Sequence, residues 1–223
     1  MSVLMTVRNG ERYLQEALVS LLGQSVAPAE VVVVDDGSTD GTADVLASFG
    51  AAVRWSTQPP RGFAAGLNHA LLQARCDVIG YIDADDLWPS ESLASRLELL
   101  HGVDAGGGAV EQFVSPELDV ATAATFRLDS GPTRAAVIGA LLFHRSTLLR
   151  FGPLDESMRL GSSVQWIATA RAAGLTVAWT DQVVLRRRLH TTNLSLLARD
   201  ESREAMLAVV RAQQLRRRAQ PQP

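Results

Sequence analysis

The sequence predicts an α/β protein with a mostly parallel central sheet flanked by helices. Three observations carry that reading. Residues 1 to about 86 alternate short β-rich apolar runs with helical stretches four times, the pattern of a doubly wound parallel sheet. Val31-Val32-Val33-Val34 is a continuous β-branched run, as expected of a strand buried on both faces. Two of the apolar runs end in acidic turns, Asp35-Asp36 and Asp83-Ala84-Asp85-Asp86, at the carboxyl ends of strands where open α/β sheets bind ligands.

Val3 to Thr6 reads as the first strand. Asn9 is placed to cap the next helix, in which Leu14, Ala17, Leu18, Leu21 and Leu22 form one apolar face. Pro28 breaks the chain before the Val31–Val34 strand. Ser38 or Thr39 can cap a helix running to about Ser48. Val53 to Ser56 is a short third strand and Pro59-Pro60-Arg61-Gly62 a loop. Gly62 to Ala74 reads as a helix with Leu67, Ala70, Leu71 and Ala74 on one face, and Val78 to Ile82 is the fourth strand. After Leu100 the organisation changes. His101 to Gly108 reads as a glycine-rich loop. Val110–Val114 and Ile138–Phe143 can be strands. Thr122 to Thr133 is irregular and polar, suited to a lid, and Gly139 and Ala140 leave room for a ligand. Ser146 can cap a helix to Phe151, and Ser162 or Ser163 another to Ala173. Leu175 to Trp179 is a last strand. Residues 1–200 are thus expected as one domain with halves at 1–100 and 101–200, followed by a helix and a disordered basic tail over 201–223.

Composition narrows the function. A chain of 223 residues with 47% hydrophobic residues can bury a sizeable core. The net charge of −3 gives no basic field for nucleic acid. Cys76 is the one cysteine, which excludes an internal disulfide and a CxxC metal site. No signal-peptide pattern opens the chain and no apolar stretch approaches the ~18 residues of a membrane span, so the expected location is the cytoplasm. Aromatic residues are 5% of the chain, too few for an extended polysaccharide-stacking platform; Trp88 and Trp166 fit core packing better than sugar stacking.

Two carboxylates one residue apart on a turn can share a hard cation, and Mg²⁺ or Mn²⁺ so held keeps positions open for substrate phosphates. A solvated turn capping the next helix is the plainer reading of either acidic motif alone. Two such motifs at neighbouring strand ends concentrate like charge, which is costly without a cation or a hydrogen-bonding ligand.

Val3 to Thr6, Asn9-Gly10-Glu11-Arg12-Tyr13-Leu14, Val33-Val34-Asp35-Asp36-Gly37-Ser38-Thr39-Asp40-Gly41-Thr42, Gly62 to Asn68, Asp83-Ala84-Asp85-Asp86, and Arg186-Arg187-Arg188-Leu189-His190 with Asn193 occur in the order found in family 2 glycosyltransferases. The chain resembles that family over roughly residues 1–195, more specifically in the first half. The resemblance implies a GT-A fold with a smaller acceptor-side sheet, a nucleotide-sugar donor (a UDP-sugar in most relatives), a divalent cation and inversion at the anomeric carbon. It places donor binding on Thr6, Arg8, Asp35, Asp36, Asn68, Asp83 and Ala84. It places the metal on Asp85 and Asp83, with His190 touching metal or diphosphate. Arg186 to Arg188 could hold phosphate. The acceptor, whether sugar, peptide or small molecule, is left open.

The family's catalytic base is an Asp or Glu near the start of the helix that here reads Gly161-Ser162-Ser163-Val164-Gln165-Trp166. Both expected carboxylates are absent, and Gln165 cannot accept a proton at neutral pH. Leu67 also stands where relatives carry an Arg. Asp155, Glu156, Glu111 and Asp181 are the nearest substitute bases by sequence. The alternatives are an acceptor that needs little help from a base, or a degenerate protein that binds a nucleotide sugar without transferring it efficiently. A nucleotidyltransferase is a poorer fit, because Arg8-Asn9-Gly10-Glu11 stands where a glycine-rich basic phosphate loop would be required.

Overall fold

A computed structural model describes residues 1–193. The strands are β1 (Ser2–Val7), β2 (Glu30–Asp35), β3 (Arg54–Thr57), β4 (Val78–Tyr81), β5 (Ala105–Val114), β6 (Thr133–Arg134), β7 (Leu141–His144) and β8 (Val177–Leu189). The helices are α1 (Leu14–Leu22), α2 (Thr42–Ser48), α3 (Phe63–Gln73), α4 (Ser92–Leu97), α5 (Val120–Ala123), α6 (Arg145–Phe151) and α7 (Ser162–Ala172). One sheet runs β3-β2-β1-β4-β7-β5-β6, and β8 pairs with β5. β1 to β4 are mutually parallel; β7 is antiparallel to β4 and β5, and β8 runs parallel to β5. The later strands therefore continue the central sheet: the smaller acceptor-side sheet that the resemblance implies is joined to it through β7.

Apolar clusters cover both faces. Val3, Met5, Val31 and Val33 pack with α1 on one side. Leu4, Val32 and Val34 pack with Ala64, Leu67 and Ala70 of α3 on the other. This two-sided burial is why the Val31–Val34 run is apolar without alternation. In α1, Leu14, Ala17, Leu18 and Leu21 are buried, while Leu22 lies 37% exposed beyond the edge of the stripe.

Several local expectations are corrected. Asn9 does not cap α1. It adopts φ +53°, accepts from the Thr39 N–H at 2.8 Å through its side chain and donates its own N–H to Ser38 Oγ, so it rivets the β1–α1 loop to the β2–α2 loop. Asp40, not Ser38 or Thr39, bonds the start of α2, accepting from the Thr42 N–H at 3.1 Å. Ser146 and Ser162 lie inside their helices and make no cap bond. Ile138–Ala140 is a 3-10 turn preceding β7. Gly106, Gly107 and Gly108 are not a loop but the buried start of β5. A Cβ at Gly106 would fall 2.5 Å from the Arg96 carbonyl oxygen, and one at Gly108 2.4 Å from a Val184 methyl. These glycines let α4 and β8 approach the sheet. β8 also extends far beyond the short strand expected at Leu175–Trp179, because it pairs with β5 through Val114↔Leu189.

Residues 122–133 contain the end of α5 and the first residue of β6. The helix and basic tail expected over 201–223 lie outside the described residues. Among the described residues no helix is long and apolar enough to cross a membrane.

Candidate metal site and adjoining pocket

β1 lies between β2 and β4, with Val7 opposite Asp35 and Leu4 opposite Tyr81. This register sets the two acidic turns on either side of the end of β1. Beyond β4, the Asp86 N–H returns to the Asp83 carbonyl at 3.2 Å. The tight turn gathers one oxygen each from Asp83, Asp85 and Asp86 within 4.8 Å of one another. At that spacing, two unit charges repel by about 3–4 kcal/mol at an effective dielectric of ~20. Asp83 is exposed, Asp85 partly buried and Asp86 buried. Desolvation and the charge of Asp85 push Asp83 up to about 6, against the pull of Arg187. Since Asp83 retains an exposed face, like-charge crowding is the firmer of the two causes. Burial, then Asp85 and Asp83, hold Asp86 well above the carboxylate range, opposed by the Arg188 N–H and Arg187. Three convergent hard oxygens whose charges repel fit a divalent cation of the Mg²⁺ or Mn²⁺ kind.

The turn is braced from β8. Leu87 and Arg186 exchange backbone hydrogen bonds at 3.0 and 2.8 Å. Oδ2 of Asp85 meets His190 Nε2 at 2.9 Å and accepts from Asn193 Nδ2 at 3.0 Å, leaving Oδ1 without a protein partner among the described residues. His190 Nδ1 lies 2.8 Å from Thr192 Oγ1 and accepts from the Thr192 N–H at 3.3 Å. That network assigns the proton to Nε2, which donates to Asp85. In this arrangement, a direct bond from His190 to an ion needs the other tautomer. The imidazole also lies 4.5 Å from the Tyr13 ring. Tyr13 donates its hydroxyl to Glu117, whose other oxygen accepts from Ser115. Burial raises Glu117, but the Ser115 and Tyr13 hydroxyls, its own N–H and Arg12 outweigh that and bring it to about 2.

At the β2 end, Asp35 and Asp36 behave differently. Asp36 accepts from Gln58 Nε2 at 2.7 Å, the Arg61 N–H at 2.8 Å and the Gly62 N–H at 2.7 Å. Both of its oxygens thus anchor the loop before α3. Asp35 accepts the Ser38 N–H through Oδ1 alone, leaving Oδ2 without a protein partner among the described residues. Thr6 bonds the Val34 carbonyl at 3.3 Å and underlies Gly66. Arg8 is exposed at the end of β1, and half-buried Ala84 packs on the core. Asn68, expected at the donor, clamps the 154–156 segment: its amide bonds the Leu154 carbonyl and N–H and Glu156 Oε1 at 2.9–3.0 Å. A groove of about 240 Å³ lies beside it, between Arg61, His69 and Glu156.

The start of α7 carries no carboxylate of its own. Ser162 is buried, and Gln165 contacts Thr169 at 3.4 Å. The substitute carboxylates are all engaged: Glu156 with Arg61, Glu111 with Arg186, Asp181 with Arg134, and Asp155 with Ser157. Trp88 and Trp166 are core residues, 2% and 5% exposed. Sequence reasoning missed Tyr13, Glu16, Ser115 and Glu117, and grouped Arg188 with its neighbours. Arg186 is 43% exposed on its side chain and pairs with Glu111, whereas Arg188 is 2% exposed. The apolar residues Val184, Leu185 and Leu189 flanking the triplet were the available signal that one arginine is buried.

Comparison with known proteins follows the same outline. The family model described as "Glycosyl transferase family 2" matches residues 2–116, just over half of the chain. An uncharacterised glycosyltransferase of Rickettsia typhi is 25% identical over 220 residues, covering 87% of this chain and 66% of its own. S. aureus TarS 1–349, solved in complex with UDP-GlcNAc, superposes with a TM-score of 0.71 at 18% identity, over 93% of this chain and 64% of that one. The mannosyltransferase PcManGT of Pyrobaculum calidifontis, in complex with GDP-Man and Mn²⁺, gives 0.68 at 23% identity, over 100% of this chain and 65% of that one. The fold is therefore the GT-A type, and the chain spans about two thirds or less of the length of these relatives.

Proposed function

Because the chain belongs to glycosyl transferase family 2, we propose that it moves a sugar from a nucleoside-diphosphate donor to an acceptor, using a divalent cation held at Asp83, Asp85 and Asp86. The convergence of those carboxylates at the carboxyl edge of the sheet carries the reading. A cation there would neutralise charge developing on the departing diphosphate. Asp85 offers Oδ1 to it while His190 and Asn193 hold Oδ2. Asp35, with Oδ2 open, accepts an N–H from the nucleobase, and a UDP-sugar is the favoured donor. Thr6 and Arg8 border that pocket at the end of β1. Asp36 acts on the donor indirectly, by fixing residues 58–62. Inversion at the anomeric carbon and a cytoplasmic location belong to the same proposal.

The start of α7 favours a second reading, donor binding without efficient transfer. Neither Ser162 nor Gln165 can serve as a neutral-pH carboxylate base, and losing a general base costs about 10²–10⁴-fold. Calorimetry with UDP and GDP, each with Mn²⁺ and with EDTA, followed by donor hydrolysis, separates the two. Metal-dependent binding with hydrolysis supports a transferase. Binding without hydrolysis, with activity gained in Gln165→Asp, supports the second reading. Absence of metal-dependent binding to either nucleotide contradicts both.

A further inference from the structure

Arg188 lies at the end of β8 with its side chain 2% exposed. Its guanidinium is engaged in three directions. Nε donates to the Asp85 carbonyl at 2.9 Å, Nη1 to Ser115 Oγ at 3.2 Å, and Nη2 to Glu16. The guanidinium carbon also stands 4.8 Å from the Tyr13 ring centroid and 4.7 Å from that of Phe113. The main chain adds two contacts: the Arg188 N–H donates to Asp86 Oδ1 at 2.9 Å, and its carbonyl accepts from Asn193 Nδ2 at 3.2 Å. Asn193 in turn holds Asp85 Oδ2. One residue thus touches the backbone of Asp85, the carboxylate of Asp86 and the amide that orients Asp85.

We infer that Arg188 is a positioning residue for the metal site, locking the Asp83–Asp86 turn in the shape in which its three carboxylates converge. The inference rests on reading that turn as a cation site. A buried guanidinium is costly to desolvate and is held only where its donors are matched. Here the matching groups come from α1, the residue after β5 and the acidic turn, so the cation joins three segments distant in sequence. Outer partners that orient metal ligands typically change affinity about 10–100-fold when removed. A lysine keeps the charge but cannot reproduce the planar fork.

The test is Mn²⁺ titration of the full chain, following free Mn²⁺ by electron paramagnetic resonance, with circular dichroism confirming that each variant is folded. The expected result is Mn²⁺ affinity about 10–100-fold weaker in Arg188→Met, with Arg188→Lys failing to restore it. If the unsubstituted protein does not bind Mn²⁺, the metal-site reading fails, and this inference with it. If it binds and Arg188→Met matches it within about twofold, the inference alone is overturned; full recovery in Arg188→Lys also overturns it, because charge then suffices without geometry. Should Arg188→Met not fold, Glu16→Gln removes the charge of the Nη2 partner and keeps an accepting oxygen, on a side chain 57% exposed. That variant is expected to bind about threefold more weakly, the share of a half-exposed ion pair. Unchanged affinity there counts against the inference.

Discussion

Asp36→Ala separates an anchor from a ligand contact. Asp36 is 3% exposed and accepts hydrogen bonds from Gln58 Nε2, the Arg61 N–H and the Gly62 N–H. Hydrogen bonds to a charged group contribute about 1.5–3 kcal/mol each. Three would sum to roughly 5–9 kcal/mol, but they share one loop and are not additive. Pro59, Pro60 and Arg61 are already exposed, so the freed donors can turn partly to water. We expect a loss of about 3–5 kcal/mol. For a chain of this size each kcal/mol shifts Tm by about 2–4 °C, giving a fall of roughly 6–20 °C. Asp36→Asn keeps one accepting oxygen but turns an NH₂ toward a donor, so about half that loss is expected. Asp35→Ala gives up a single bond to Ser38 and should lose nucleotide affinity with a much smaller change in Tm. Differential scanning calorimetry of the three variants, with nucleotide titrations, reads both effects. Asp36→Ala unfolding within about 2 °C of the unsubstituted protein would refute the anchoring argument.

Gly106→Ala places a methyl 2.5 Å from the Arg96 carbonyl oxygen, a backbone atom that cannot swing away; urea unfolding should show a loss of at least about 1–3 kcal/mol. Glu117, brought down to about 2 by the Ser115 and Tyr13 hydroxyls, its own N–H and Arg12 against the effect of burial, stabilises the folded state above its unfolded pKa near 4.5. That contribution is lost as pH falls through about 2. Glu117→Gln should therefore be less stable at pH 7, by about 1 kcal/mol after allowing for solvent screening, and the gap should narrow in thermal melts taken between about pH 4.5 and 2. Asn68→Ala should release the 154–156 segment, raising proteolytic cleavage near Asp155 while Mn²⁺ affinity is unchanged.

What the sequence disclosed and what it hid divide along the range of the interactions. The β1–β4 half was legible because its signals are local: a β-branched run buried on two faces, an apolar stripe on α1 and acidic residues at strand ends. The same local pattern picked out Asp83 and Asp85. The second half depends on packing between distant segments. Gly106 to Gly108 look like a loop in one dimension and become a strand because Arg96, Leu141 and Val184 crowd their α-carbons. Asn9 resembles a cap until the Ser38–Thr39 turn takes its hydrogen bonds. Asp35 and Asp36 are adjacent and chemically alike, yet only Asp36 faces the Arg61 and Gly62 N–H groups, a distinction set by where the loop after β3 returns. In Arg186 to Arg188, strand alternation separates neighbours but does not say which one meets Glu16 and Ser115. The α7 start shows the limit from the other side: the missing carboxylates are plain in the sequence, and the described residues bring no unengaged substitute from Asp155, Glu156, Glu111 or Asp181.

The most direct test of the central claim is Mn²⁺ binding by the unsubstituted chain and by Asp85→Asn, each with and without UDP. Asp85→Asn keeps the shape of the side chain and removes its charge. The unsubstituted chain is expected to bind one Mn²⁺ saturably, more tightly with the nucleotide, and Asp85→Asn to lose both effects. Equal Mn²⁺ affinity in the two proteins would contradict a cation site at the end of β4.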